Sequence, residues 1–582
     1  MLVHASHSSG AQRMQGPLGA IELSRQEAPV SVSKTGYDDD DSVIGDRCWE
    51  LHFDGEGPTL PGEPCGLCGL TGWLRRLNSH IGHRLLTLLI AVQHLQKGAA
   101  NTLAWKANAY LYKQYHLPAQ QVQILGAVVG LPWVLKPVVG LLSDVCPIGG
   151  RRKAPYMAAA SVLGVGACLA VGLLPLAETP VQVLVGCLFL FQNQVTTTDL
   201  LTEALWAARL RASPASGPDL LTFVFAGCQV GCLASVLASG FVIEYLGAQS
   251  AFVLAAALAC GVMYPLARGY VEEPLLTAAE AAEIRRKFWA QREACALAFV
   301  MLIGAGCICV SSLLTSDAAV SAAVCCGAAG VVLVTSSLVL SPVIASFAAF
   351  SLVQSSMSLS VHGPVFYFMT DTPEEYPEGP HFSAVFFNTV LGCVSGLCSL
   401  LGFYTYHACS ARVSYRSLLV AANVALSLLH LLDLLLFSRA NLRLGLPDHL
   451  FVIGGAVMGP VISQWHWMPQ AALFSSLCPK DMEATMFSLI VGCHNLGVGV
   501  AASVGSLLLH ALDCNPRGAP GDSEQFRHLW IASGVSSLLP MVCVLLLFRL
   551  VPEGRQGEPL EAEGGLDATT GSLWRRSVQH ME

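Results

Sequence analysis

The sequence predicts an all-α integral membrane protein with about fourteen transmembrane helices. Three observations carry that prediction. First, 53% of the 582 residues are hydrophobic and only 12% are charged, with a mean hydropathy of +0.55. Soluble domains are roughly 25% charged, so this chain lacks the charged skin a soluble fold of its size needs. Second, apolar runs near the ~20 residues that span a bilayer as a helix follow one another. They lie at 85–108, 121–143, 155–176, 181–206, 220–244, 249–269, 295–314, 319–340, 343–369, 382–408, 416–437, 449–475, 483–511 and 529–551. Third, basic residues fall on alternate loops, as the positive-inside rule demands.

The basic loops contain Arg75, Arg76 and Arg84 before the first span, then Arg151, Arg152 and Lys153 between the second and third. Arg209 and Arg211 follow the fourth span, and Arg285, Arg286, Lys287 and Arg292 follow the sixth. Arg412 and Arg416, Lys480, then Arg555, Arg575 and Arg576 complete the series. All share one side if both termini are cytosolic. Arg439 and Arg443 break the pattern. A multi-pass plasma-membrane protein is the expected location.

Residues 1–80 are polar, carry four acids at 38–41, and read as a disordered cytosolic tail. No secretory signal opens the chain, so the first apolar span is expected to act as its own signal. Residues 275–293 read as a short surface helix, because Thr277-x-x-Glu280 is a capping-box pattern. The net charge of −8 gives no basic footprint, so no nucleic-acid partner is expected. The 21 cysteines sit mostly in apolar runs, as small buried hydrophobes do. Cys65-x-x-Cys68 has no second pair nearby, so no metal site is expected. No phosphate loop, His-Glu-x-x-His or Gly-x-Ser-x-Gly motif is present. Neither an enzyme nor a cofactor is expected, and the natural partners are lipid and a small molecule.

Ionisable groups inside a bilayer cost about 2.5–3.5 kcal/mol at a helix centre, so each is a functional candidate. Gln93, Gln96 and Lys97 share one face of span one. Lys97 could meet an anionic substrate or a carboxylate partner, or snorkel to the interface. Asp199 and Glu203, four apart in span four, could form a proton-coupling pair, or be neutralised by cations of other helices. Trp465-His466-Trp467 in span twelve could stack a flat heterocycle, or belong to an interfacial belt. His494, Asn495 and Asp433 are weaker candidates. Asp144, with Arg151 and Arg152, reads as a gating clasp at the cytosolic end of span two, where Pro132, Pro137 and Gly140 shape the helix around Lys136. The clasp resembles the major-facilitator loop signature, with extra residues between the acid and the bases.

The stretch Pro132-Trp133-x-x-Lys136-Pro137-x-x-Gly140-x-x-Ser143-Asp144-x-x-Pro147-Ile148-x-Gly150-Arg151-Arg152-x-x-Pro155-Tyr156 resembles the signature of the folate–biopterin transporter family. Asp199-Leu-Leu-Thr-Glu203 and the segment from Leu477 to Phe487 resemble it too, and lean toward its protozoan parasite branch. The resemblance implies a major-facilitator fold of two six-helix bundles, 81–270 and 343–552. Between them, 271–342 would hold the surface helix and two extra spans, and 553–582 would be a cytosolic tail. It implies secondary active import of folate, biopterin or related pteridines, with protons as the coupling ion. The implied substrate-binding set is Lys97, Gln93, Trp465, His466 and Trp467; Asp199 and Glu203 would couple protons, and Lys136, Asp144, Arg151 and Arg152 would gate. The resemblance also leaves room for another solute, such as S-adenosylmethionine, or for a transporter-like receptor that no longer transports.

Overall fold

A chain in hydrocarbon must pair every backbone N–H and C=O with itself, and a helix does so within one segment. The computed structural model describes residues 67–212, 217–290, 292–410, 412–477 and 483–555, all within the unit Thr59–Glu582. These residues are almost wholly helical. In chain order the elements are α1 (Leu67–Ile81), α2 (residues 83–114), α3 (Ala119–Val145), α4 (Ala154–Leu173), α5 (Val181–Ala212), α6 (Asp219–Leu246), α7 (Ala248–Ala267) and α8 (Ala278–Ala290). Then come α9 (Cys295–Leu314), α10 (Ala318–Val339), α11 (Pro342–Thr370), α12 (Val385–Ala408), α13 (Tyr415–Phe437), α14 (Asp448–Ser476), α15 (Phe487–Ala511) and α16 (Asp522–Leu550).

Eleven of these, among the described residues, are long and apolar enough to cross a membrane. The three other expected spans coincide with α2, α5 and α14, which carry more polar residues. The expected disordered tail lies outside the described residues up to 66, but 67–80 belong to the helix α1. The C-terminal tail beyond 555 and the motif residues 478–482 also lie outside the described residues. The capping box of α8 forms as the sequence predicts: Thr277 donates N–H and hydroxyl to Glu280 at 2.8 Å, and the Glu280 N–H returns to Thr277 at 3.3 Å. The main-chain and side-chain bonds from Thr277 hold the exposed Glu280 carboxyl below its ordinary pKa.

Helices α2–α7 pack mainly among themselves, and so do α11–α16. The two groups meet along two seams, α3 against α15 and α6 against α12. The pair α9–α10 packs on itself and against both α3 and α15, flanking the first seam.

Local irregularities fall where polar residues enter the membrane. Within α2, residues Ile90–Ala100 wind as a π-helix that contains Gln93, Gln96 and Lys97. Such bulges re-aim side chains and recur at functional sites. In α3, Pro132 and Pro137 remove backbone donors, and the helix restarts at Lys136. Helix α11 is interrupted between Met357 and His362. Its freed groups are satisfied across helices: Ser360 N–H donates to Ala501 O at 3.1 Å, and Gly363 N–H to Gln123 Oε1 at 3.3 Å. Gly505 admits this approach, since a Cβ there would collide with the Ser360 main chain.

Candidate substrate and proton site

Asp199 of α5 is the centre of a four-charge cluster in the first bundle. Its side chain is fully buried. Lys97 of α2 donates to Oδ1 at 2.8 Å and Lys136 of α3 to Oδ2 at 2.7 Å. Gln93 Nε2 adds a third bond to Oδ1 at 2.9 Å. A buried carboxylate stripped of water survives only with such full pairing. Glu203, one turn further, is held more loosely: its Oε2 lies 3.5 Å from Lys136, and a third of its side chain is exposed. The cluster contains two lysines and two carboxylates, so it is neutral when all four are ionised.

Polar bonds tie the cluster to its surroundings. Lys136 lies over the Trp133 ring at 4.8 Å. Trp133 Nε1–H donates to Gln192 Oε1 at 3.1 Å, and Gln192 in turn donates to Asn101 at 2.7 Å. The Thr198 hydroxyl donates to Gln96 Oε1 at 3.0 Å. Asn495 of α15 donates to the Trp133 main-chain oxygen at 3.4 Å, which joins the second bundle to the first.

Two expectations need correction. Lys136, expected with the gating clasp, instead binds Asp199, because the helix restart aims it back toward α5. The clasp itself is reduced to Arg152 and Asp144 at 3.6 Å, while the exposed Arg151 pairs with Ile148 through its main chain. Glu273 also occupies this corner, accepting the N–H groups of Arg152, Lys153 and Ala154 at 2.9–3.0 Å and so capping α4. The second correction concerns the tryptophans, which do not form one sandwich. Trp465 turns to α12 and donates to Thr405 at 2.9 Å. Trp467, two residues on, is 38% exposed and packs against His494 at 5.1 Å and Phe474 at 6.1 Å. His466 contacts Gln470 of its own helix.

Sequence reading undervalued two groups here. His494 Nδ1 is fixed by the hydroxyls of Ser355 at 2.7 Å and Ser351 at 3.2 Å, so it is the anchored partner of Trp467. Lys106 extends from α2 to Gly392 of α12, at the second seam, and among the described residues it has no carboxylate partner. The sequence signal for Lys106 is the same as for Lys97, a lysine inside span one. A groove of about 340 Å³ lies elsewhere, between Leu117, Gln121, Gln182 and Ser312 at helix ends, and touches none of the charged cluster.

Residues 97–568 match the BT1 family. The chain belongs to that family. A probable folate-biopterin transporter of Arabidopsis thaliana is 24% identical over 496 residues, which cover 84% of this chain and 87% of its own length. The folate-biopterin transporter of Synechocystis is 26% identical over 430 residues, covering 73% and 74%. Folate transporter 2 of Plasmodium falciparum is 22% identical over 397 residues, covering 68% and 74%. Among solved structures, a POT family transporter bound to a thioalcohol-conjugated peptide superposes with a TM-score of 0.55 at 14% identity, covering 81% of this chain and 98% of that one. A D-xylose–proton symporter gives 0.50 at 12% identity, covering 83% and 98%. At such identities the likeness concerns the fold, which is the major-facilitator type of two bundles. This BT1 family member is a membrane transporter, and its relatives are transporters rather than enzymes.

Proposed function

We propose that the protein imports folate, biopterin or a related pteridine by proton symport, through alternating access of the bundles 81–270 and 343–552. The region 271–342 is the inserted surface helix and helix pair, both termini are cytosolic, and the membrane is the plasma membrane. The motif spacing further relates the chain to the protozoan branch of the family, a placement that a tree of full-length relatives tests.

The observation that carries this reading is the double hold of Lys97 and Lys136 on Asp199. An anionic substrate group entering the cluster competes with Asp199 for those lysines. Any lysine it wins leaves two carboxylates with one cation, in a place with little water to screen them. A proton then restores neutrality, and Glu203, the looser and more exposed acid, is the accepting group. For folate, whose carboxylates are ionised, anion and proton thus arrive together, which is symport by charge balance; biopterin has no carboxylate and makes no such demand. Lys106, which pairs with no carboxylate among the described residues, supplies a further cation for a dianion. The half-exposed Trp467, braced by His494, offers a face for a flat ring.

The test is uptake of labelled folate and labelled biopterin at external pH of about 5.5 and about 7.5, in cells without their own pteridine transport. Faster uptake of either at the lower pH supports the reading. No uptake of either by protein at the surface overturns the cargo, and labelled S-adenosylmethionine, a cation, is then the next probe. Deleting residues 1–75 separates a carrier, which keeps uptake, from a receptor, which loses its signal.

A further inference from the structure

At the end of the molecule where α2 turns into α3, Lys113 crosses from the first bundle to the second. Its Nζ donates to Asp371 Oδ1 at 2.7 Å, Glu375 Oε2 at 2.8 Å and the Thr370 main-chain oxygen at 3.3 Å. Further bonds between the bundles surround this one. The Tyr367 hydroxyl donates to Leu117 O at 2.8 Å, Ala119 N–H donates to Pro516 O at 2.9 Å, and His116 Nδ1 meets Gly518 O at 3.1 Å. At the opposite end Arg84 and Arg209 share Glu272, and Arg416 meets Glu553. None of those pairs joins the first bundle to the second. The Lys113 ion pairs do join them, at the end that the loop charges orient outward.

The acids at this end outnumber the cation paired with them. Asp371 has a fully buried side chain, and its Oδ2 has no hydrogen-bond partner among the described residues. Glu375 shares Lys113 and also accepts Thr372 N–H at 2.8 Å. Asp522, the third carboxylate acting on Asp371, is occupied by the N–H groups of Arg517 at 2.6 Å and Ala519 at 3.1 Å. His381 meets the main-chain oxygens of Asp371 at 2.7 Å and of Pro377 at 3.4 Å, not the Asp371 carboxylate, and Tyr367 lies one turn earlier. Lys113 is the cation paired with this group among the described residues.

We propose that Lys113, Asp371 and Glu375 form the outer gate and that Asp371 is a proton-binding site within it, loaded as the gate shuts. This rests on the transport reading above for its orientation, but it names a proton distinct from the one assigned to Glu203. Its physical basis is desolvation. Burial pushes the Asp371 carboxyl up to about 6 against the pull of Lys113, with Glu375 and Asp522 adding to the rise. With the gate open to water, the carboxyl returns toward its ordinary ~3.9. The shut gate thus holds the proton more tightly. Its stabilisation by acid is fully present below the ordinary value and is lost as pH rises through about 6. External acid therefore drives closure behind a substrate that has entered.

The experiment uses the full chain in lipid nanodiscs without substrate, with fluorophores on genetically encoded side chains at the exposed positions Glu178 and Glu524. The distance between these outer rims is followed from about pH 5 to about pH 7.5. The expected wild-type result is closure that sets in as pH falls through about 6, the shut-to-open ratio then rising by up to about tenfold per pH unit. Asp371→Asn should remove the pH dependence. Lys113→Gln, which deletes the opposing cation, should move the onset to higher pH and guards against loss of folding in the first variant. A wild-type response retained in Asp371→Asn, or no closure in the wild type, overturns the gate proton. Absence of pteridine uptake would overturn the cargo while leaving this distance response intact.

Discussion

Two carboxylate clusters in this protein differ in charge balance, and that difference separates their roles. Around Asp199 two lysines face two acids, and the pairs close at 2.7 and 2.8 Å. Around Asp371 one lysine serves two acids, with a third close by. The balanced cluster gains a proton affinity only when an arriving anion takes a lysine from it. The unbalanced cluster gains one as soon as it is buried. A carrier with both can demand substrate before it accepts the coupling proton, yet still let external acid favour closing.

The largest expected effect comes from breaking the balanced cluster. Lys97→Gln leaves a buried carboxylate with one cation and removes a substrate contact. A hydrogen bond to a charged group contributes about 1.5–3 kcal/mol, so loss of the substrate contact should lower uptake by about thirtyfold while surface expression, read by antibody to an extracellular tag, stays near normal. Uptake within about twofold of wild type would remove Lys97 from the site. Glu203→Gln should act next in size. It mimics the protonated acid, so the pH dependence of uptake should shrink to the part carried by Asp371 and net accumulation should fall by about tenfold, while exchange of labelled for unlabelled substrate persists. Loss of exchange together with accumulation would mean that Glu203 holds the fold or the substrate and not the proton.

The two tryptophans give a smaller, sharper test. Trp467→Ala removes an exposed ring face and should raise the KM for uptake by about three- to tenfold, the equivalent of roughly 0.5–1.5 kcal/mol of ring contact. Trp465→Ala removes a bond to Thr405 between two helices, so it should lower the amount of folded protein and leave the KM within about twofold. Reversal of those outcomes would put the heterocycle against α12.

How much of this was legible in the sequence depends on the range of the interaction. Span positions follow from hydropathy, a local sum, and nearly all return as helices. The capping box at Thr277 and Glu280 is equally local and forms as read. Pairings between helices are not local. Lys136 sat in a motif with Asp144, yet the break after Pro132 turns it toward Asp199, and no spacing rule contains that rotation. Asp371 and Glu375 carry no local sign of their partner, because Lys113 lies more than 250 residues away. A usable signal did exist. Arg439 stood out as a base on the wrong side, and it makes a two-bonded pair with Asp448 at 2.8 and 3.0 Å. Lys113 is a base on that same side and is likewise paired.

The smallest expected effect concerns the clasp, and it asks whether a motif's residues act equally. Arg152 meets Asp144 at 3.6 Å with about a third of each side chain exposed. Exposed pairs of that kind contribute about 0–1 kcal/mol, so Arg152→Gln should change the uptake rate by no more than about fivefold. Arg151 contributes its main chain to the turn at Ile148 and points its side chain to solvent, so Arg151→Gln should leave uptake within about twofold. If Arg151→Gln instead abolished uptake, the guanidinium would have to find a partner in the outward-facing state, when the bundles close at this end. The clasp would then be the inner counterpart of the Lys113 gate, and the two ends would alternate in which one ties the halves together.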